Sequence, residues 1–202
     1  MPLRGRHIVL RPLDPTGDAE LLHEAAQGDP ELWTYLSYGP LDSPAKLRDF
    51  YAGFEDDPVF YTLCPLPEER PAGVASYLNI VPEHGRIEIG HIWFGASLQQ
   101  TRAATEAIYL LAAHAFGELG YRRLEWMCNS LNERSRGAAE RFGFTFEGVA
   151  RQHMVAKGRN RDTAAFSITD EEWPPLRARF ERWLDDANFD ASGRQRRSLA
   201  DL

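Results

Sequence analysis

The sequence predicts a mixed α/β fold in which helices cover a single sheet. Three consecutive segments rich in β-branched and aromatic residues, separated by turn residues, favour antiparallel strands. A later passage alternates strand, helix, strand, helix and strand, which favours a parallel step within the same sheet. The length of 202 residues suits one domain with a short appendage.

Periodicity and turn residues define the individual elements. The predicted strands, rich in apolar residues and bounded by turn residues, are 7–12, 59–66, 72–81, 86–95, 123–128, 144–156 and 163–168. The predicted helices, which show helical spacing or a helix-start signal, are 18–27, 30–36, 43–54, 101–119, 132–142 and 172–187. Gly85 and Gly120 stand where a hairpin turn and a helix end call for a positive φ.

Composition and charge restrict the classes of function. The net charge of -7 argues against nucleic acid as the main partner, because duplex binding relies on basic side chains that neutralise phosphates. No apolar run approaches the roughly 20 residues of a membrane span, and the start lacks a signal-peptide pattern, so no membrane association is expected. Cys64 and Cys128 are isolated in apolar segments, which predicts free thiols in a reducing cytoplasm.

The histidines and the C-terminal residues indicate no site of their own. The six histidines are scattered without the spacing of metal ligands, so no metal is expected. Residues 188–202 combine arginines with small polar residues and little apolar content, which predicts a polar, mobile tail. The folded domain is therefore expected over residues 1–187.

The most informative segment is EIGHIWFGASLQQTRAATE at 88–106. A strand leads there into a polar turn and a helix start, where free backbone N–H groups and the helix dipole favour an anion. Gln100, Thr101 and the small Ala103 and Ala104 allow a diphosphate to approach the backbone. This pattern alone is weak evidence, because many strand–turn–helix units bind nothing.

Three motifs follow one another along the chain. QQTRAA at 99–104 aligns with the pattern Gln/Arg-x-x-Gly-x-Gly/Ala, with Gln99 and Ala104 in agreement and Arg102 at the glycine position, and ATEA at 104–107 overlaps its last residue. NERS at 132–135 begins a series that continues with GF at 143–144 and EG at 147–148. In this order and spacing the motifs resemble the GNAT (Gcn5-related) N-acetyltransferase superfamily, and within it the RimJ/RimL-like branch, which acetylates protein N-termini.

The resemblance implies a GNAT fold, a single mixed and mostly antiparallel sheet with splayed central parallel strands, flanked by helices. Acetyl-CoA, the co-substrate of the family, lies between the splayed strands, which here correspond to 88–94 and 123–128. The positions that match the family's contacts to this co-substrate are Ile92, Trp93, Phe94, Gln99, Gln100, Thr101, Arg102, Ala103, Ala104, Thr105, Asn132 and Ser135.

Arg102 departs from the family pattern, which has glycine at this position. Glycine lets backbone pass close to a diphosphate without an intervening side chain. An arginine either blocks that approach or turns outward and pairs with a phosphate through its planar fork. Because Gln99 and Ala104 keep the pattern, the second arrangement is expected.

The resemblance also implies a reaction, the direct attack of a primary amine on acetyl-CoA in a ternary complex. Such a reaction needs a base for the amine proton, donors for the oxyanion and a stabiliser for the leaving thiolate. Glu88, acting through a water, is the candidate base, and the alternative is a structural carboxylate paired with Arg86 or Arg123. His91 is a second candidate. Regular alternation places it on the sheet face opposite Glu88, and a histidine that only packs in the sheet is the favoured interpretation.

The other catalytic groups rest on the same resemblance. Backbone N–H groups near 92–94 are the expected oxyanion donors. Ser135 is the expected donor to the thiolate, and its alternative role is a hydrogen bond to the helix backbone. Asn132 serves first as a helix cap.

The acceptor remains open at the level of sequence. The aromatic residues between 33 and 54 and the acidic run at 55–57 suit a cationic amine, and they equally suit a core stripe beside a solvated loop. A protein N-terminus, a small-molecule amine such as an antibiotic, and a non-catalytic acyl-CoA sensor are all compatible with these residues. The aromatic residues also permit a homodimer.

Overall fold

One eight-stranded sheet runs through the computed structural model, which describes every residue from Met1 to Leu202. The strands are β1 (Leu3–Arg4), β2 (Ile8–Pro12), β3 (Val59–Pro65), β4 (Gly73–Val81), β5 (Arg86–Phe94), β6 (Arg123–Asn129), β7 (Thr145–Ala156) and β8 (Arg159–Thr169). Their order across the sheet is β1-β2-β3-β4-β5-β6-β8-β7. Every neighbouring pair is antiparallel except β5 and β6, which confirms the predicted fold class.

Five α-helices flank this sheet. They are α1 (Ala19–Ala25), α2 (Pro44–Ala52), α3 (Arg102–Ala113), α4 (Glu133–Arg141) and α5 (Trp173–Leu184). A π-helical turn, His114–Glu118, continues α3. None of the helices is both long and apolar enough to cross a bilayer.

The sheet separates two cores. Helices α3 and α5 contribute Ile108 and Phe180 to the larger core, whereas α1 and α2 contribute Leu22 and Leu47 to the smaller one. Alternate residues of β4 enter different cores, because successive side chains of a strand point to opposite faces. The two faces of the sheet therefore carry different helix pairs.

Helix starts follow the capping signals of the sequence. The Ser43 hydroxyl oxygen accepts a hydrogen bond from the Lys46 N–H at 3.2 Å ahead of α2. The Asn132 Oδ1 accepts from the Ser135 N–H at 3.1 Å ahead of α4. Both side chains satisfy a backbone donor that the helix itself leaves free.

The helix predicted over 30–36 is wrong, because these residues form turns. The Leu32 N–H donates to the Asp29 carbonyl at 3.2 Å in the first of them. The Trp33 ring packs on the Trp93 ring, with 5.8 Å between their centroids. A helix of two turns has little stability of its own, so burial of the tryptophan decides the conformation.

The polar turn before the last strand is shorter than predicted. Only Lys157 and Gly158 form it, with φ values of 51° and 74°. Two successive positive φ values are typical of a two-residue hairpin turn. Strand β8 therefore begins directly afterwards, and Arg161 lies on the strand, opposite Met154 of β7, instead of in a loop.

The C-terminal residues differ from the polar, mobile tail that composition predicts. Leu199 is fully buried in the larger core. Phe189 packs against the same core and lies 4.0 Å beneath the guanidinium of Arg102. Two apolar side chains among many polar ones attach the segment to α5 and α3, so the packed unit extends beyond residue 187.

Candidate active site

Strands β5 and β6 are neighbours but pair over three residues only. Arg86–Glu88 lie beside Arg123–Glu125, and the rest of β5 has no partner on β6. Strand β5 instead remains paired with β4 as far as Phe94. A gap therefore opens between the two parallel strands beyond Glu88, which confirms the expected splaying.

A β-bulge turns β5 where the gap opens. His91 has a φ of 49°, and the pairing with β4 slips by one residue between Gly90 and Trp93. The imidazole lies 5.3 Å from the Tyr38 ring and 5.4 Å from the Phe60 ring, between centroids. His91 therefore faces the smaller core. Regular alternation along the strand predicts that it faces the larger core, on the side of the sheet opposite Glu88.

A cleft of about 1980 Å³ follows this gap and collects nearly all the predicted site residues. The predicted residues that line it are Glu88, Ile92, Trp93, Phe94, Gln99, Gln100, Thr101, Arg102, Ala104, Thr105, Asn132 and Ser135. Ala103 is the exception, and its side chain belongs to the larger core. Residues far apart in sequence thus meet in one place.

The start of α3 presents free backbone donors to the cleft. Thr101 Oγ1 accepts from the Ala104 N–H at 3.1 Å and donates to the Leu98 carbonyl at 2.7 Å. The N–H groups of Arg102 and Ala103 have no acceptor within the protein. Free donors at the positive end of a helix dipole suit an anion, so the residues present fit the diphosphate of a CoA molecule.

The side chain of Arg102 differs from the expected phosphate partner. Its guanidinium donates to Asp186 Oδ1 at 2.8 Å and to the carbonyl of Leu184, and it stacks on Phe189. The side chain is only 19% exposed. The segment that follows α5 thus holds the arginine that replaces the family's glycine.

Glu88 is a buried carboxylate without an ion pair. It is 5% exposed, and its one hydrogen bond within the protein comes from Asn79 Nδ2 at 2.7 Å. Arg86 and Arg123, the alternative partners, bind Glu125 instead, at 3.1 and 2.8 Å. Burial raises the pKa of Glu88 to about 7, although the Asn79 hydrogen bond opposes the shift. A carboxylate that titrates near neutral pH has the property that a general base needs.

His91 has the opposite shift. Burial lowers its pKa to about 4, and the charge of Arg161 acts in the same direction. The imidazole is therefore neutral near pH 7 and a weaker base than Glu88. Its aromatic neighbours favour the packing interpretation.

The Ser135 hydroxyl is held by a tryptophan. Trp126 Nε1 donates to Ser135 Oγ at 3.0 Å. The hydroxyl has the Cys128 thiol as a neighbour, and no oxygen or nitrogen of the protein accepts its proton. The hydrogen bond from this hydroxyl to the helix backbone, considered as its alternative role, is absent. The proton can therefore be donated to a group in the cleft.

Two further motif residues hold the framework of the cleft. Gln99 Nε2 donates to the Phe94 carbonyl at 3.0 Å and to Asp29 Oδ2 at 3.2 Å, which fixes the turn after β5. Thr105 Oγ1 accepts from both terminal nitrogens of Arg141 at 3.2 Å. Gln99 Nε2 and Thr105 Oγ1 are thus hydrogen-bonded within the protein, although both side chains line the cleft.

The acidic residue of the ATEA segment has a packing role. Glu106 is 3% exposed and accepts hydrogen bonds from the backbone N–H groups of Arg6 at 2.8 Å and His7 at 2.6 Å. A Cβ at Gly5 would lie 2.5 Å from the Glu106 carboxyl carbon, so this approach requires glycine. The carboxylate ties α3 to the turn between β1 and β2.

The sequence interpretation missed three residues that complete the site. Asn79, which binds Glu88, lies at a register shift of β4 with a φ of 48°. A lone amide between Leu78 and Ile80 in an apolar strand was the available signal. Trp126 and Arg161 gave no local signal, because their partners come from other elements.

The aromatic residues of the acceptor side divide between core and cleft. Tyr51 is buried, and its hydroxyl accepts from Trp93 Nε1 at 2.9 Å. Tyr35 and Tyr38 line the cleft, where Tyr38 stacks on Phe50 with 4.3 Å between ring centroids. Some of these aromatic residues therefore belong to the core stripe, and others lie where a cationic amine could contact them.

Comparisons with known proteins agree with this architecture. An acetyltransferase (GNAT) domain family model matches residues 7–145. A Bacillus subtilis protein named "Putative ribosomal N-acetyltransferase YdaF" is 29% identical over 184 residues, which cover 83% of this chain and 93% of that protein. A GCN5-related N-acetyltransferase from Brucella melitensis is 41% identical, with a TM-score of 0.95 over 99% of this chain and 92% of that one.

A more distant structure shares the fold alone. RimL, described as a ribosomal L7/L12 alpha-N-protein acetyltransferase in complex with coenzyme A, superposes with a TM-score of 0.71. It is 21% identical, and the match covers 84% of this chain and 98% of RimL. With the family model matching more than half of its length, the chain belongs to the GNAT N-acetyltransferase family and is an acetyl-CoA-dependent acyltransferase.

Proposed function

We propose that the enzyme acetylates the α-amine of a protein N-terminus by direct attack of that amine on acetyl-CoA in a ternary complex. The observation that carries the proposal is the unpaired, buried carboxylate of Glu88 beside the gap between β5 and β6. The ribosomal and α-N-protein names of two relatives favour a protein N-terminus over a small amine.

In this mechanism Glu88 accepts the proton of the acceptor ammonium through a water. Asn79 fixes the carboxylate, since its amide donates to one oxygen and leaves the other free. The neutral nitrogen then forms the C–N bond, and backbone N–H groups near 92–94 stabilise the oxyanion. As the tetrahedral intermediate collapses, the attacking nitrogen loses its surplus proton to water, the C–S bond breaks, and Ser135 stabilises the leaving thiolate by a hydrogen bond from its hydroxyl.

Binding of the co-substrate falls to the other end of the cleft. Acetyl-CoA supplies the activated acetyl group. The free N–H groups of Arg102 and Ala103 would hold its diphosphate, and the cap made by Asn132 keeps Ser135 at the same wall of the cleft. Arg102 contributes its backbone there, while Asp186 retains its side chain.

A thiol-release assay over N-terminal peptides and small amines tests the proposal. We expect release with peptides that have a free α-amine and none with the same peptides blocked at the amine. Release with small amines alone would contradict the protein acceptor. A rise in melting temperature with acetyl-CoA but no release on any acceptor would indicate a sensor. At a hundred times its Kd a ligand stabilises the fold by about 2.7 kcal/mol, which is readily measured.

Replacement of Ser135 by alanine should slow the chemical step. A hydrogen bond to a charged group contributes about 1.5–3 kcal/mol, so we expect kcat to fall by roughly 10- to 100-fold with little change in the KM for acetyl-CoA. Steady-state kinetics measure both. Ser192→Ala, at an exposed position outside the cleft, is the control. An unchanged kcat would remove the assignment of Ser135.

A further inference from the structure

We propose that the acceptor carries a carboxylate a few bonds from its amine, and that Arg161 binds this carboxylate. The inference rests on the proposed function, since it requires the amine to lie beside Glu88. It names a specificity-determining residue and the chemical class of the acceptor.

Arg161 is the half-buried arginine of the cleft that lacks a partner. Its Nε is buried without a hydrogen bond, and its guanidinium forms no hydrogen bond or ion pair within the protein. The neighbouring Asp162 does not neutralise it, because that carboxylate accepts from the Gln152 N–H and from Asn160 Nδ2, both at 2.8 Å. The buried Nε lacks a partner, which is unfavourable, whereas the terminal nitrogens are not buried, so an anion that enters the cleft can supply the missing partner.

The other arginines of the cleft set this one apart. Arg86 binds Glu125, Arg102 binds Asp186, Arg134 lies 3.7 Å from Glu31 and Arg141 binds Thr105. Arg194 has no side-chain partner either, but it is exposed to solvent. Only Arg161 combines partial burial, an orphaned guanidinium and a place in the cleft.

Arg161 lies on the acceptor side of the sheet. Ala164 and Phe166 of β8 enter the larger core, so Arg161, of opposite parity, points to the other face. Arg161, Glu88 and His91 line the same cleft, and the positive charge of Arg161 lowers the pKa of both other residues without an ion pair or hydrogen bond to either. An amine beside Glu88 and the guanidinium of Arg161 would therefore share one side of the cleft.

The chemistry of this arrangement favours an amino carboxylate. The planar fork of a guanidinium binds a carboxylate through two parallel hydrogen bonds. An acceptor with positive charge alone would be repelled by Arg161 while it is still an ammonium. Two sources fit the same chemistry, namely a peptide N-terminus with an acidic side chain in its first residues and a small amino carboxylate.

Matched acceptor pairs test the inference. Thiol release is measured with two pairs of peptides, one beginning Ser-Asp or Ser-Asn and the other beginning Ser-Glu or Ser-Gln. Free amino acids are compared with the corresponding amino acid amides in the same way. We expect the wild-type kcat/KM to be higher for the acid than for the amide by about 10-fold or more, because one charge-assisted hydrogen-bonded pair contributes about that factor. Arg161→Gln should bring this ratio to about one, because the carboxylate loses its partner while the amide never had one, and Arg161→Lys should keep part of the ratio.

The control is Arg159→Gln, which removes the same charge from an exposed position on the same strand. It should leave the acid preference unchanged. Melting temperatures of all variants identify any that do not fold, and Arg161→Lys then carries the test. Equal use of acid and amide by wild type would overturn the inference, and so would an equal loss on both with Arg161→Gln.

The same assay separates this inference from the proposed function. Acid-selective acetylation of amino acids without acetylation of any peptide supports the carboxylate site and contradicts the protein acceptor. Acetylation of peptides without a preference for the acid supports the protein acceptor and contradicts the carboxylate site. No release with any acceptor contradicts both.

Discussion

Replacing Glu88 with glutamine is expected to lower kcat by about 100- to 10,000-fold, the usual contribution of a general base. Glutamine keeps the shape of the side chain, and its oxygen can still accept from Asn79, 2.7 Å away in the wild type. It cannot accept a proton from the acceptor ammonium. The loss is therefore expected in turnover, with the fold intact.

The same substitution should stabilise the protein above neutral pH. The folded-state pKa of Glu88 is raised from 4.5 to about 7, so the folded state binds more protons than the unfolded state between these values. Stability contributed by the protonated side chain is fully present below about pH 4.5 and is lost as the pH rises through 7, by about 3 kcal/mol. Glutamine does not ionise and avoids this loss. Urea unfolding of both proteins at pH 5 and pH 8 measures the difference.

Opposite signs for activity and stability distinguish a missing base from a damaged fold. Wild-type kcat/KM should fall as the pH decreases below about 7, since protonated Glu88 cannot act. Glu83→Gln, at an exposed position just before β5, is the matched control and should change neither property. If Glu88→Gln retains wild-type turnover, Glu88 is not the general base, and His91 or a chain of waters accepts the proton instead.

The strands were predictable because their signal is local. Strands such as β4 and β5 are rich in β-branched and aromatic residues, and Gly85 between them has the positive φ of 62° that its turn position indicates. The error at 30–36 has a different cause. Trp33 takes its conformation from a contact with Trp93, sixty residues away, which no local pattern records.

The site was predictable in its location and less so in its chemistry. The motif residues from Gln99 to Thr105, except Ala103, and those from Asn132 to Ser135 line one cleft, and their roles in it stay predictions. The partner of Arg102 could not be inferred, because Asp186 lies 84 positions along the chain. The bulge at His91 was also hidden, since the residue itself gives no sign of a positive φ.

Replacement of Leu199 by alanine is expected to cost about 2–5 kcal/mol of unfolding free energy. The composition of the last fifteen residues predicts a solvated tail, in which the same change would cost nothing. In the structure Leu199 is fully buried in the larger core, so its removal leaves a cavity as well as a lost burial term. Leu131→Ala, at a position 72% exposed, is the matched control and should stay within about 0.5 kcal/mol of wild type.

Deletion of residues 189–202 extends this test from one side chain to the whole segment. It removes both Leu199 and Phe189, and it takes from Trp183 Nε1 the Gln195 oxygen that accepts at 2.9 Å. Burial of each apolar side chain contributes about 1.5–3 kcal/mol, so the deletion should destabilise at least as much as the point substitution. If the shortened chain unfolds at the wild-type urea midpoint, the segment does not pack on the core. The stacking of Phe189 on Arg102 beside the cleft would then be contradicted as well.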